Sequence, residues 1–201
     1  MNHFLRPLGS LFLVLLIALS STSALADDKR VPTILDRLLD TDGAQAVVAA
    51  VLVVDDAKAL PFGLADLLDD KRAEVILFAP GNAAFEKLLG LEEGTLNGLT
   101  ANEIAAALPG IIGPLGVTVD DVAAILLKHA ALPRKANRWT ASEDALLARG
   151  SVEVADGSEF PVGIGSAGVS INYETQIIKA NLFARNGVIH FIDSVIVDGT
   201  L

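Results

Sequence analysis

Chemistry near neutral pH usually draws on histidine, cysteine or paired carboxylates. This 201-residue chain is sparing with the first two, having three histidines and no cysteine. His3 stands in an N-terminal leader, so the candidates are His129 and His190. Neither belongs to a metal-ligand spacing such as His-Glu-x-x-His. If the apolar stretch around His190 is a strand, its imidazole points the same way as Val188 and Ile192. Asp193 then points the other way with Ile189 and Phe191, so the two form no dyad. An imidazole on an apolar face is usually neutral and hydrogen-bonded, and a structural role is the reading for both histidines. Asp193 suits a carboxylate that accepts backbone amides at a turn or strand edge. Gly163-Ile-Gly-Ser-Ala-Gly168 spells the dinucleotide pattern Gly-x-Gly-x-x-Gly. That motif needs a helix N-terminus to receive the pyrophosphate, and Val-Ser-Ile-Asn-Tyr173 follows as a strand, so the segment reads as a turn. Ser166 lacks the Gly-x-Ser-x-Gly flanks of a nucleophile elbow. With no nucleophile, metal set or convergent acid and base, the expectation is a protein without catalytic activity and without a cofactor.

Charge and targeting narrow the partners. Arg6 precedes an apolar run from Leu11 to Leu19, and Ala24-Leu25-Ala26 has small residues at both positions read by a signal peptidase, so residues 1–26 are expected to be a signal peptide. The run is shorter than the roughly 20 residues a membrane span needs, and none like it follows. Arg6 is the leader's only charged residue, so 14 basic and 25 acidic residues remain, a net charge of −11. Such a chain repels nucleic acid and anionic lipid. An exported chain without cysteine depends on apolar packing rather than disulfides, and a short leader with a cysteine-free chain suits a bacterial protein, secreted or periplasmic.

The elements that position these residues fall into two halves. Ile34, Leu35, Leu38 and Leu39 share a helical face, as do Val47, Val48, Val51 and Leu52, with Asp42-Gly43 as the break. A short helix is expected over Gly63 to Asp70, a buried strand over Val75 to Pro80, and a helix over Asn82 to Leu89, with Asn82 as a stand-in cap. Thr100 with Glu103, Thr118 with Asp121, and Thr140 with Glu143 have capping-box spacing; the helix after Thr118 is expected to run to about Ala131. After Gly150 the period becomes that of strands. Val152 and Val154 alternate, Asp156-Gly157 is a turn, Val169, Ile171 and Tyr173 alternate, and Asn186-Gly187 is a hairpin turn before a strand apolar on both faces.

Three stretches carry a family resemblance. Asn186-Gly-Val-Ile-His-Phe-Ile-Asp-Ser-Val-Ile196 resembles the C-terminal signature of the fasciclin domain, an extracellular adhesion module. Val75-Ile-Leu-Phe-Ala-Pro-Gly-Asn-Ala-Ala-Phe85 resembles its N-terminal signature, with Gly81 where the family has Thr or Ser. Leu126-Leu-Lys-His-Ala130 matches the family's Leu-x-Tyr-His-Val at His129, with Lys128 in place of tyrosine. The resemblance spans about residues 31–200 and implies an α+β fold, a β-sandwich or wedge of about seven strands with a helical layer packed beside it. It also implies an adhesion or interaction module that binds a protein or a surface polymer. Family members present an Asp-Ile motif and the Tyr-His pair to receptors; the matching positions here are Asn181-Leu182 and Lys128-His129, which are the candidate partner-binding residues.

The segment Pro109-Gly-Ile-Ile-Gly-Pro-Leu-Gly116 reads as an inserted loop of glycine and proline carrying Ile111, Ile112 and Leu115. Exposed, it would dock a partner or close over a lipophilic ligand such as the carotenoids that some fasciclin-like proteins hold. With the apolar helix after Thr118 it would line a groove.

Overall fold

The computed structural model describes residues 31–133 and 140–197. The expected signal peptide lies outside the described residues. The N-terminal half is helical: α1 (Ile34–Leu39), α2 (Gln45–Ala57), α3 (Leu64–Asp69), the strand β1 (Val75–Pro80), α4 (Asn82–Leu89), α5 (Ala101–Ile112), a 3-10 turn over Gly113–Leu115, and α6 (Val119–Lys128). A two-residue strand β2 (Ala130–Ala131) and α7 (Glu143–Arg149) lead into the strands β3 (Ser151–Glu153), β4 (Glu159–Gly165), β5 (Gly168–Ile171), β6 (Thr175–Ala184) and β7 (Gly187–Ile192). The α+β organisation read from the sequence is present. Its seven strands form one sheet in the order β2-β1-β7-β6-β5-β4-β3, with β1 and β7 parallel and the other pairs antiparallel.

The sheet curls until its edges meet. Ala155, just past β3, donates its amide to the carbonyl of Ala130 in β2 at 2.7 Å, and lies 3.2 Å from that of Leu127. One face of the central strands, Val75, Leu77, Ala79, Ile189 and Phe191, packs against the helices. The other face, Ile76, Phe78, Val188 and Ile192, packs inside the curl with Leu146, Phe160, Val162 and Ile171. The strict alternation of a pleated strand thus feeds two separate cores, which is why β1 and β7 are buried at every position and apolar at all but His190.

α2 is the centre of the helical layer. Its buried residues, Ala46 to Val51 with Val53 and Val54, surround the axis. Valine is a middling helix former, so this helix is held by packing rather than by propensity. Its N-terminus has no side-chain cap of its own, and the buried Asn82 supplies one from another element, Oδ1 accepting the amide of Ala46 at 3.0 Å. This corrects the expected role of Asn82: it starts α4 as its first residue after Gly81 but caps α2.

Three further expectations are corrected. The capping boxes at Thr100 and Thr118 form as expected, but α7 is capped by Ser142, two residues beyond Thr140. α6 ends at Lys128 rather than near Ala131, because Ala130 and Ala131 join the sheet beside Leu77 and Ile76. The segment 109–116 is not an inserted loop: α5 continues through Pro109 to Ile112, and the 3-10 turn follows. Glycine and proline disfavour helix locally, yet burial of Ile104, Leu108 and Ile112 on one face outweighs that preference.

Asn186 ties the halves together. Its side chain is buried, Oδ1 accepting the amide of Ile34 at 2.8 Å while Nδ2 donates to the carbonyls of Leu68 (2.9 Å) and Asp70 (3.1 Å). The hairpin turn of β6 and β7 therefore also holds the start of α1 and the end of α3.

Candidate functional site

Lys128 and His129 end α6 with opposite fates. Lys128 Nζ, partly covered, reaches Asp156 Oδ2 at 2.6 Å in an exposed turn. Burial disfavours a charged Asp156, but hydrogen bonds from Lys128 and Ser158 outweigh it and hold its carboxyl below the ordinary range. Asp156 sits in the turn between β3 and β4, one residue after the amide that closes the sheet, so the ion pair pins that closure. Lys128→Met is expected to cost about 0.5–1 kcal/mol, because the ion pair it removes lies at a solvent-exposed turn. Asp156→Asn added to that variant should cost little more, and urea unfolding of the two singles and the double checks the coupling; additive losses would show that the pair does not act as a unit.

The imidazole of His129 is buried. Nδ1–H donates to the carbonyl of Ile125 at 2.7 Å, and Nε2 accepts the amide of Ile196 at 3.0 Å. Those partners require the neutral ring with its proton on Nδ1. Burial, aided by the charge of Lys128 and opposed by the bond to Ile125, lowers its pKa to about 4. His129 thus links α6 to the segment after β7 and reaches the surface only through its neighbours. His190 is equally buried, Nε2–H donating to the carbonyl of Ala141 at 2.9 Å beside the ring of Phe78, and burial lowers its pKa too. Asp193 accepts the amide of Gln176 at 2.9 Å.

Asn181 and Leu182 lie on β6. The pairing is irregular between Ile177 and Leu182, and Asn181 has a left-handed φ of 62° in that irregularity. Its Oδ1 accepts the amide of Glu143 at 2.9 Å, at the first turn of α7. Leu182 is half-buried against the helical core. The two candidate pairs are not brought together: Ala130, Leu77, Ile189 and Leu182 stand in one row across β2, β1, β7 and β6, so three strand spacings, about 14 Å, separate them.

What the sequence reading missed is the apolar display around Asn181. Ile178 is 62% exposed and Phe183 37% exposed on the same strand, and Ile164 near the end of β4 is 73% exposed; Tyr173, expected to continue the alternation of Val169 and Ile171, instead lies in the turn after β5 with φ 62° and is 78% exposed. Strand period places Ile178 on the face opposite buried Ile177, and the register shifts between Ile177 and Leu182 lie beside it. The Gly163–Gly168 stretch is the end of β4 and its turn into β5, as expected.

Of the three residues expected to form a docking loop, Ile112 is buried, Ile111 half-buried and Leu115 50% exposed. Ile112 lines an apolar pocket between α2, α4, α5 and α6, with Ala50, Phe85, Leu108, Val122 and Ile125 among its walls. Its free volume, ≈ 30 Å³, is far below the roughly 300–1,000 Å³ of a pocket that engulfs a drug-sized ligand. Among the described residues no three carboxylates or histidines are placed to hold a metal ion, and no single helix is long and apolar enough to cross a membrane.

A family model described as the fasciclin domain matches residues 54–198. The chain belongs to the fasciclin family. Within it, Asn186 and His129 lie in two of the three stretches that carry the resemblance, and both act here as internal ties. A solved structure of the same kind, titled "Novel Fold Revealed by the Structure of a FAS1 Domain Pair from the Insect Cell Adhesion Molecule Fasciclin I", superposes with a TM-score of 0.57 at 16% identity, over 84% of this chain and 52% of that one. The likeness is one of fold, and the chain spans about half the length of that domain pair. A comparison with curated proteins gave no match. Fasciclin domains are adhesion and interaction modules, and this chain is of that kind.

Proposed function

We propose that this fasciclin domain is an exported, non-catalytic adhesion module that contacts a protein or surface polymer through the exposed apolar residues of β6. The observation that carries this reading is the exposure of Ile178 and Phe183 on either side of Asn181 and Leu182, on a strand whose inner side is built into the core. A soluble acidic protein gains nothing from large apolar groups in water, and their grouping on one strand marks a contact surface. Asn181 holds the backbone that displays them through its bond to α7. The partner is protein or neutral polymer rather than nucleic acid, since the net charge of the chain is −10.

Binding of the purified protein to whole cells of its source, and to their isolated envelope polymers, tests this. Ile178→Asp and Phe183→Ser are each expected to lower binding at least tenfold with the melting temperature within a few degrees of the parent. Lys128 and Asn181 variants that remain folded are expected to weaken it less. Unchanged binding by Ile178→Asp and Phe183→Ser would remove β6 as the contact surface.

A second reading, a carrier of a lipophilic small molecule, is favoured by the wholly apolar pocket under Ile112. A ligand as long as a carotenoid requires the α5–α6 corner to swing away from α2. A visible chromophore, or extra mass in native mass spectrometry, would identify such cargo.

A further inference from the structure

We infer that Asn97 is a site of spontaneous deamidation, closing onto the amide nitrogen of Gly98 and ending as a mixture of aspartate and isoaspartate. The fold shelters the other Asn-Gly pair, Asn186-Gly187, from the same reaction.

The dipeptide supplies the chemistry. Glycine has no side chain to hinder approach of its amide nitrogen to the preceding carboxamide, so Asn-Gly closes more readily than asparagine before a bulkier residue. The Gly98 nitrogen gives up its proton and attacks Cγ of Asn97. The new N–Cγ bond closes a five-membered imide as the Cγ–Nδ2 bond breaks, and the side-chain nitrogen leaves as ammonia with that proton. Water then opens the imide. Cleavage of the N–Cγ bond gives aspartate; cleavage of the bond from the same nitrogen to the main-chain carbonyl carbon gives isoaspartate, with the backbone running through Cγ. One water is consumed and one ammonia released, and nothing is oxidised or reduced.

The surroundings of Asn97 leave this path open. Asn97 and Gly98 are both exposed, in the turns between α4 and α5. The nearby backbone bonds run from the Asn97 amide to the carbonyl of Gly94 (3.1 Å) and from the Leu99 amide to that of Leu96 (3.4 Å). Neither uses the peptide group that joins Asn97 to Gly98. Among the described residues that group and the Asn97 carboxamide have no hydrogen-bond partner, so both face water. Gly98 has φ 79° and nothing within 4 Å of where a Cβ would stand, so no neighbour obstructs its rotation. The segment is fixed only on either side. Buried Glu86 accepts the amides of Gly94 at 2.9 Å and Leu96 at 2.7 Å, and the Thr100 capping box starts α5. Residues 97–99 bridge these clamps and take up the extra backbone carbon of isoaspartate, so conversion needs no unfolding.

Asn186 is the reverse case. Its carboxamide is buried, with Oδ1 engaged by Ile34 and Nδ2 by the carbonyls of Leu68 and Asp70. Gly187 is paired with Val75 in the parallel ladder. Ring closure there requires the clamp to release and the two central strands to part, so the stability of the fold holds the reaction back.

The test incubates the full chain at pH 8 and 37 °C and follows both Asn-Gly peptides by liquid chromatography and mass spectrometry, with isoaspartate scored by a protein isoaspartate methyltransferase. Conversion at Asn97 is expected to be at least tenfold faster than at Asn186, with isoaspartate among its products. In guanidinium chloride strong enough to unfold the chain, the two sites should convert at similar rates. Gly98→Ala should slow conversion at Asn97 at least tenfold. Conversion at Asn97 no faster than at Asn186 in the folded chain overturns the inference, as does aspartate without isoaspartate at position 97, or a Gly98→Ala protein as fast as the parent. An Asn186 that stays slow in denaturant overturns its protection by the fold.

Discussion

Gly187→Ala is expected to abolish folding of the domain. Gly187 follows the Asn186 clamp, has φ 156°, and pairs with Val75 in the parallel ladder at the middle of the sheet. A Cβ built on it would coincide with the carbonyl oxygen of Val75 and come within 3.0 Å of Ile34 Cδ1. The obstacle is backbone, which has no rotamer to yield. Relief would require β1 and β7 to part, and both strands are buried on both faces. Domains of this size are stable by about 5–15 kcal/mol, and separating the central ladder consumes a large part of that. Gly90→Ala is the control: its φ is 65° and its Cβ would meet nothing within 4 Å, so only the left-handed strain of about 1–2 kcal/mol applies. Circular dichroism and limited proteolysis of the two variants decide the matter; a Gly187→Ala protein that melts within a few degrees of the Gly90→Ala protein would sink the argument.

The second large effect is acid sensitivity well above the range in which carboxylates titrate. His129 has a folded-state pKa of about 4 against an ordinary value of 6.5. Between those values the unfolded chain holds a proton that the folded chain refuses, so lowering the pH favours unfolding. The stability associated with this group is complete above about pH 6.5, is lost steadily as the pH falls, and is gone near pH 4. A difference of this size corresponds to about 3 kcal/mol. His190 is shifted in the same direction by its own burial and adds to the loss. Urea midpoints at pH 7.5, 5.5 and 4.5 measure it, and a His129→Gln variant should show a shallower slope. A flat profile across that interval would mean that the rings are not held neutral inside.

What was legible in the sequence was local. The capping boxes at Thr100 and Thr118, the turn at Asn186-Gly187 and the doubly apolar strands each depend on residues a few positions apart, where geometry is fixed by the chain itself. The fasciclin signatures were legible for the same reason. The candidate site was legible only as positions. That Asn82 caps α2, that Asn181 holds the start of α7, and that Lys128 finds Asp156 are facts about residues 28 to 38 positions apart, and each was made by packing. Pro109 misled because proline reports its own turn, whereas Ile104, Leu108 and Ile112 commit the whole face.

The parallel pairing of β1 with β7 also dictates when this molecule becomes a structure. Val75 meets Gly187 across more than half the length of the chain, and β7 supplies one side of each core. Loop closure over that distance must precede any reward from the contact, which makes the ladder a late and slow event. During synthesis the helical half emerges first and has no sheet to rest on, so it stays loose until the final strand is delivered. The domain therefore remains open until β7 has been made, and closes in a single concerted step once it arrives.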